Sequence, residues 1–184
     1  ILASGSPRRK ELLQMLEVPF EVLVSDTKEV ITKNEPAEVT KELSYQKAMA
    51  VAEQVEEGII IGADTVVSID GKILGKPADT EEAREMIYKL QGKSHMVYTG
   101  VTVIAKSGDM VSASSFAEGT KVNVAPMTEN EIEAYISTDE PYDKAGAYGI
   151  QGLFGKFIEG IKGDYFNVVG LPVHRLYEEL KKFD

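Results

Sequence analysis

Two hydroxyls, a glycine and three cations are packed into Ser4-Gly5-Ser6-Pro7-Arg8-Arg9-Lys10. The stretch reads as a strand end, a tight turn and the start of a helix, with Ser6 as N-cap and Pro7 where a missing N–H is no loss. Three cations in a first helical turn oppose the helix dipole, each costing roughly 0.3–1 kcal/mol near the surface. A bound anion reverses that sign. Free backbone N–H groups, the hydroxyls of Ser4 and Ser6, the small Gly5 and two guanidiniums together describe a phosphate cradle.

A second focus is Asp64, which interrupts the apolar run Ile59-Ile60-Ile61-Gly62-Ala63-Asp64-Thr65-Val66-Val67. An ionised carboxylate inside such a strand is costly unless it is paired, metal-bound or open to a cleft. Asp64 is therefore the candidate general base, with a turn cap or a structural ion pair as the plainer alternative. Lys47 stands in the row Val39, Leu43, Lys47, Val51 at helical steps of four. Its stem either snorkels along a packed face or carries the ammonium into a polar cleft. Lys76 follows a short apolar run and is by itself an ordinary turn lysine or a phosphate ligand. Asp26 and Glu29, in a polar loop, suit metal ligation or base chemistry, and equally a solvated loop. Gln151 closes a stretch, 138–152, with three glycines, and offers the donor and acceptor a base-reading group needs, although a tight turn explains the loop as well. Tyr142 and Tyr148 there could stack on a base or pack on the core. His95, without partners at ligand spacing, reads as an ordinary strand residue.

The elements that must position these residues follow from periodicity. The first helix faces inward with Leu12, Leu13 and Leu16. Residues 20–24 alternate as a strand, and Pro36 to Val55 repeat as a helix. Residues 59–69 form a buried strand ending in an Asp70-Gly71 hairpin. Asp79 with Glu82 and Thr128 with Glu131 read as capping boxes. The first opens a helix with Ala83, Met86, Ile87 and Leu90 inward, the second a short one with Ile132, Tyr135 and Ile136 inward. Residues 94–105 and 110–124 are long β patterns, and 157–161 with 164–169 suggest a further hairpin. A last helix, 173–183, turns Val173, Leu176, Tyr177 and Leu180 inward and leaves His174 outside. Strands and helices alternate irregularly, which indicates a mixed α/β sheet with flanking helices. With no repeat, low-complexity tract or linker, residues 1–184 are expected to form a single domain.

Composition bounds the function. The 184 residues carry a formal charge of −10, which disfavours nonspecific nucleic-acid binding. A small anion remains accessible if local cations or a divalent metal overcome the field. No apolar run reaches the roughly 18–20 residues of a membrane span, and no charged-then-apolar leader is seen. There is no cysteine, so no disulfide framework or thiolate metal site. A soluble cytoplasmic protein is expected, with no membrane partner. The chain opens on Ile1 rather than Met, and a short piece of the opening strand is expected to precede it.

Together, Ser4-Gly5-Ser6-Pro7-Arg8-Arg9, Gly62-Ala63-Asp64-Thr65, Gly75-Lys76-Pro77, Asp143-Lys144-Ala145-Gly146-Ala147-Tyr148-Gly149-Ile150-Gln151-Gly152 and Gly170-Leu171-Pro172 resemble the Maf family of nucleoside triphosphate pyrophosphatases. The resemblance spans nearly the whole chain. It implies an elongated sheet of the inosine triphosphate pyrophosphatase type, with two lobes around a cleft. It implies hydrolysis of a nucleoside triphosphate to monophosphate and pyrophosphate, assisted by Mg²⁺ or Mn²⁺. On this resemblance Ser4, Arg9, Lys47 and Lys76 fall on phosphate-binding positions, the two lysines counted with Asp64 as catalytic, while Ser6 joins the phosphate set from the chemistry of its turn; Asp64 is the proton acceptor and a candidate metal ligand. Glu29 falls near an acidic family position and is the second candidate metal ligand. Arg8, Thr65 and Gln151 match positions associated with choice of dTTP and UTP, with modified pyrimidine nucleotides as further candidates. A sister branch prefers 7-methyl-GTP and carries other residues there. A nucleotide-sensing regulator of division and septum formation is the alternative role, and a homodimer is left open.

Overall fold

A computed structural model of the chain describes residues 1–24, 26 and 28–183. The opening turn folds as its caps dictate: Ser6 is extended, its hydroxyl accepts the Arg9 N–H at 3.5 Å, and Pro7 begins α1 (Pro7–Gln14). Leu12 and Leu13 are buried and Leu16 is half-buried. Helix α2 (Pro36–Ala52) also starts on a proline and buries Val39, Leu43 and Val51. It stops short of Val55, which the apolar periodicity had included. Strand β1 (Glu57–Ile69) turns through Asp70 and Gly71 at φ of 50° and 73°, the left-handed pair of a type I′ hairpin, into β2 (Lys72–Leu74). Val67 then lies opposite Leu74.

The remaining elements are α3 (Thr80–Leu90), β3 (Ser94–Ser107), β4 (Met110–Val124), α4 (Glu129–Ile136), β5 (Ile158–Lys162), α5 (Tyr165–Val169) and α6 (Val173–Leu180). The strands make a five-stranded antiparallel sheet in the order β2-β1-β3-β4-β5. Leu2 adds parallel bridges to Val22 and Ile61, so the α/β class with mixed pairing is the one anticipated.

Several local expectations are corrected. The strand expected over 20–24 is a single bridge at Val22, because Leu2 offers it only one residue of partner. Residues 165–169 are helical, and β5 pairs with β4 instead, Val122 opposite Ile161. The Asp164 carboxylate accepts the Phe166 N–H at 2.8 Å, which starts that helix and ends the strand. The Glu82 side chain accepts from Ala78 N, not from Asp79 N, so only half of that capping box forms. The box at Thr128 and Glu131 is complete. On α6, Tyr177 faces solvent, while Glu179 is buried through bonds from Ser114 Oγ and Lys182 Nζ.

Contacts divide the chain into two compact units. The first comprises Ile1–Thr65, Thr99–Glu118 and Gly170–Asp184, the second Val66–Tyr98 and Gly119–Val169. Strands β1, β3 and β4 each contribute one end to either unit, so no linker marks the division in the sequence. A core of the first unit gathers Ala3, Ala48, Val51, Ala52, Ile60 and Ile104. The second unit's larger core joins α3 and α4 to Tyr148, Phe154 and Phe157. No helix among the described residues is long and apolar enough to cross a membrane.

Candidate active site

The N-terminal segment is laid along β1 by backbone bonds: Ala3 N–H donates to Ile61 O and Ile61 N–H to Ile1 O, both at 2.8 Å. This brings Ser4, itself buried, to the turn before α1. Its Oγ accepts from Ser6 N at 3.3 Å and from Arg9 Nη1 at 3.2 Å. Arg9 Nε donates to Gly170 O at 2.9 Å and Nη2 to Thr65 Oγ1 at 3.0 Å, and Thr65 Oγ1 shares a 2.8 Å bond with Thr99 Oγ1. Every acceptor on this guanidinium among the described residues is a neutral oxygen. Burial lowers the Arg9 pKa, the Asp64 charge opposes that shift and Arg8 reinforces it.

Helix α2 holds the second cluster. It lies directly on β1 and β3 because two positions there are glycine: a Cβ on Gly62 would fall 2.3 Å from Ser44 O, and one on Gly100 2.2 Å from the Thr40 carbonyl carbon. Ser44 Oγ bonds Thr102 Oγ1 at 2.8 Å between them. The close approach sets Lys47, 27% exposed at its side chain, against Asp64 of β1, 12% exposed, to which its Nζ donates a short bond. The same Nζ stands 3.1 Å from Glu29 Oε1. Lys47 therefore does not snorkel, and Asp64 is neither orphaned nor a turn cap. Consecutive strand residues direct side chains to opposite faces, so Asp64 serves α2 and Thr65 serves α1, and the Asp64 charge still acts on Arg9.

Of the residues singled out in the sequence, the structure thus joins Ser4, Ser6, Arg9 and Thr65 in one set and Lys47, Asp64 and Glu29 in another. Arg8 is half-buried on α1, and Asp26 is exposed. Lys76 and Gln151 belong to the second unit and are exposed there. Ser25 and Thr27, in the polar loop before Glu29, lie outside the described residues. Tyr142 and Tyr148 are structural: Tyr142 OH donates to Ile136 O at 2.7 Å, and Tyr148 OH meets His95 Nε2 at 2.5 Å in the core. Periodicity alone missed Thr99, Gly62, Gly100 and the Gly170 carbonyl. The signal for the strand glycines was present, since glycine in an apolar strand marks a close approach.

No group of three or more His, Asp or Glu side chains suited to hold a metal exists among the described residues. The two carboxylates that converge on Lys47 nonetheless fit a Mg²⁺ or Mn²⁺ site. Such ions are commonly held by one or two carboxylates plus substrate phosphates, not by an all-protein cage.

This α/β fold is shared with a solved structure, the Staphylococcus aureus Ham1 protein, at a TM-score of 0.54 and 13% identity, covering 100% of this chain and 98% of that one. A family model described as Maf-like protein matches residues 1–183, so the chain belongs to the Maf family. It is 54% identical over 185 residues to the dTTP/UTP pyrophosphatase of Bacillus cytotoxicus and 51% identical to that of Bacillus cereus. In both cases 100% of this chain and 95% of the relative are covered.

Proposed function

We propose that this protein hydrolyses dTTP and UTP to the monophosphate and pyrophosphate and so helps clear nucleotide pools. The observation that carries the reading is the shared Lys47 ammonium, with Asp64 and Glu29 on one cation, while the next strand residue, Thr65, anchors a guanidinium whose acceptors among the described residues are all neutral oxygens. A triphosphate brings about four negative charges, and most phosphoryl-transfer catalysis is positioning and charge stabilisation. Arg9 is oriented before substrate arrives, because Gly170 O, Ser4 Oγ and Thr65 Oγ1 fix its plane. Among the described residues two of its N–H groups take no protein acceptor and can meet phosphate oxygens, joined by the Ser4 and Ser6 hydroxyls.

Asp64 accepts the proton of the attacking water, and the bond from Lys47 holds that carboxylate turned toward α2. Asp64 and Glu29 would hold the Mg²⁺ or Mn²⁺ ion, which when bound supplies charge neutralisation at the phosphate oxygens. From the family resemblance, Lys76 adds a further phosphate cation, and Arg8, Thr65 and Gln151 select the pyrimidine nucleotide. Residues 1–184 act as one functional domain in this reading. The negative net charge and the absence of cysteine support a cytoplasmic enzyme whose partner is its small substrate, not a nucleic acid, with a homodimer compatible.

The test is a panel of nucleoside triphosphates incubated with the protein and Mg²⁺ or Mn²⁺. Pyrophosphate and monophosphate should appear in equal amounts, fastest from dTTP and UTP. Release of orthophosphate without pyrophosphate would overturn the assignment.

A further inference from the structure

Glu29 sits in a segment with little else to hold it. Residues 28–35 are exposed, Val30 and Ile31 by 54% and 59%, and among the described residues 28–34 make no backbone-to-backbone hydrogen bond. An exposed loop without apolar anchors opens at small cost, and a carboxylate on it samples many positions. Yet Glu29 Oε1 lies 3.1 Å from Lys47 Nζ. Something must hold the loop there.

Two side chains of α2 do so. The Gln46 amide accepts from Val30 N at 2.9 Å and donates to Val30 O at 2.7 Å, the two-bond pairing that a neighbouring strand would make. One helical turn earlier, Glu42 Oε2 accepts from Thr32 N at 2.8 Å and Oε1 accepts a short bond from the Thr32 hydroxyl. Residues 42 and 46 are four apart, so they share a helix face, and the alternate loop residues 30 and 32 match that spacing. The residue after Gln46 is Lys47 and the residue before Val30 is Glu29, so the same register that closes the Gln46 pairing sets Glu29 on Lys47.

We propose that Gln46 and Glu42 are positioning residues: a side-chain latch that fixes Glu29 against Lys47 and thereby places the second carboxylate of the site. The proposal rests on the catalytic reading above for its effect on turnover, but the latch itself can be read without turnover. Gln46→Met keeps the length and removes both bonds to Val30. Glu42→Gln keeps an acceptor for Thr32, and Glu42→Ala keeps none.

Amide hydrogen exchange at Val30 and Thr32, and the Glu29 carboxyl ¹³C resonance assigned with Glu29→Gln, are compared in the parent and the variants. The parent should protect both amides. Gln46→Met should lose protection at Val30 and move the Glu29 resonance toward that of a free glutamate, with an unchanged unfolding midpoint. With dTTP, Gln46→Met should lower kcat by about tenfold, the low end for groups that orient a ligand's partner, and leave KM close to the parent value. Glu42→Gln should restore most of what Glu42→Ala loses. Equal exchange in parent and Gln46→Met, or an opened latch with unchanged kcat, overturns the proposal. Absence of pyrophosphate from the parent sinks the catalytic reading alone, while exchange and the Glu29 resonance still decide whether the latch places that carboxylate.

Discussion

Arg9 in the first unit and Arg84 in the second are held in opposite ways. Arg84 Nε and Nη2 grip both oxygens of Glu133, at 2.5 and 2.9 Å, and Nη1 takes Glu81. These partners raise the Arg84 pKa and hold the Glu133 carboxyl below its usual range. Arg9 has three neutral oxygens and a pKa lowered by burial. The contrast extends to the other ionisable groups. In the second unit His95 is buried and kept neutral against Tyr148, whereas in the first Lys47 divides one charge between two carboxylates. A guanidinium already met by carboxylates has little left to offer an anion, and one held only by neutral oxygens suits a ligand.

The strongest way to break that contrast is Asp64→Asn. The amide keeps the shape beside Lys47 but cannot take a proton, so kcat for dTTP should fall by about 10²–10⁴-fold. A variant retaining a tenth of the activity would remove Asp64 from the chemistry. Next is Arg9→Lys, which keeps the charge and discards the fork. One ammonium cannot reach Gly170 O, Ser4 Oγ and Thr65 Oγ1 and still meet phosphate in a fixed plane. Loss of one or two charge-assisted bonds predicts a decrease of about 10–100-fold in kcat/KM, measured by pyrophosphate release.

The two sets of site residues were unequally legible in the sequence. The Ser6 cap, Pro7 and the cation run announced their turn because capping is local, and Asp64 stood out because an acid interrupts the continuous apolar run of a strand buried on both faces. That Lys47 meets Asp64 depends on Gly62 and Gly100, whose role is visible only once α2 is seen to lie on β1 and β3. The Arg9 anchors Thr65 and Gly170 are 56 and 161 residues away in the chain, a separation that no periodicity reports. Residues 164–169 failed for a different reason. Their Val-Val ending suggests a strand, but Asp164 caps a helix there, and Asn167 turns inward to donate to Val97 O at 3.1 Å and Thr120 Oγ1 at 2.9 Å.

A smaller effect should distinguish His95. Burial lowers its pKa to about 4, from an ordinary 6.5, because protonation would create a charge in the core. Its Nδ1 has no partner among the described residues. Between those values the unfolded chain binds a proton that the folded chain refuses, so stability is complete above pH 6.5 and falls as the pH drops toward 4. The loss should approach about 3 kcal/mol across that window. His95→Gln, neutral throughout, should flatten the fall between pH 6.5 and about 5.5, above the range in which carboxylates of the unfolded chain take up protons. Parallel stability curves for parent and variant would show that the pocket does not exclude the charged ring.

The smallest expected effect belongs to Arg84→Ala, and it is the control that gives the comparison its meaning. The Arg84 bridge joins α3 to α4, but Ala83, Met86, Ile87 and Leu90 of one helix already share a core with Ile132, Tyr135 and Ile136 of the other. Its pairs are open to water on the Glu133 and Glu81 sides, where screening and side-chain entropy cancel most of the attraction. Removing the guanidinium leaves both carboxylates hydrated, not stranded. The unfolding midpoint should move only slightly downward, and less at high salt, while pyrophosphate release stays at the parent rate. If Arg84→Ala instead reduced turnover as much as Arg9→Lys, a saturated arginine would matter as much as an unsatisfied one, and the type of acceptor around a guanidinium would no longer identify the ligand-binding cation in this protein.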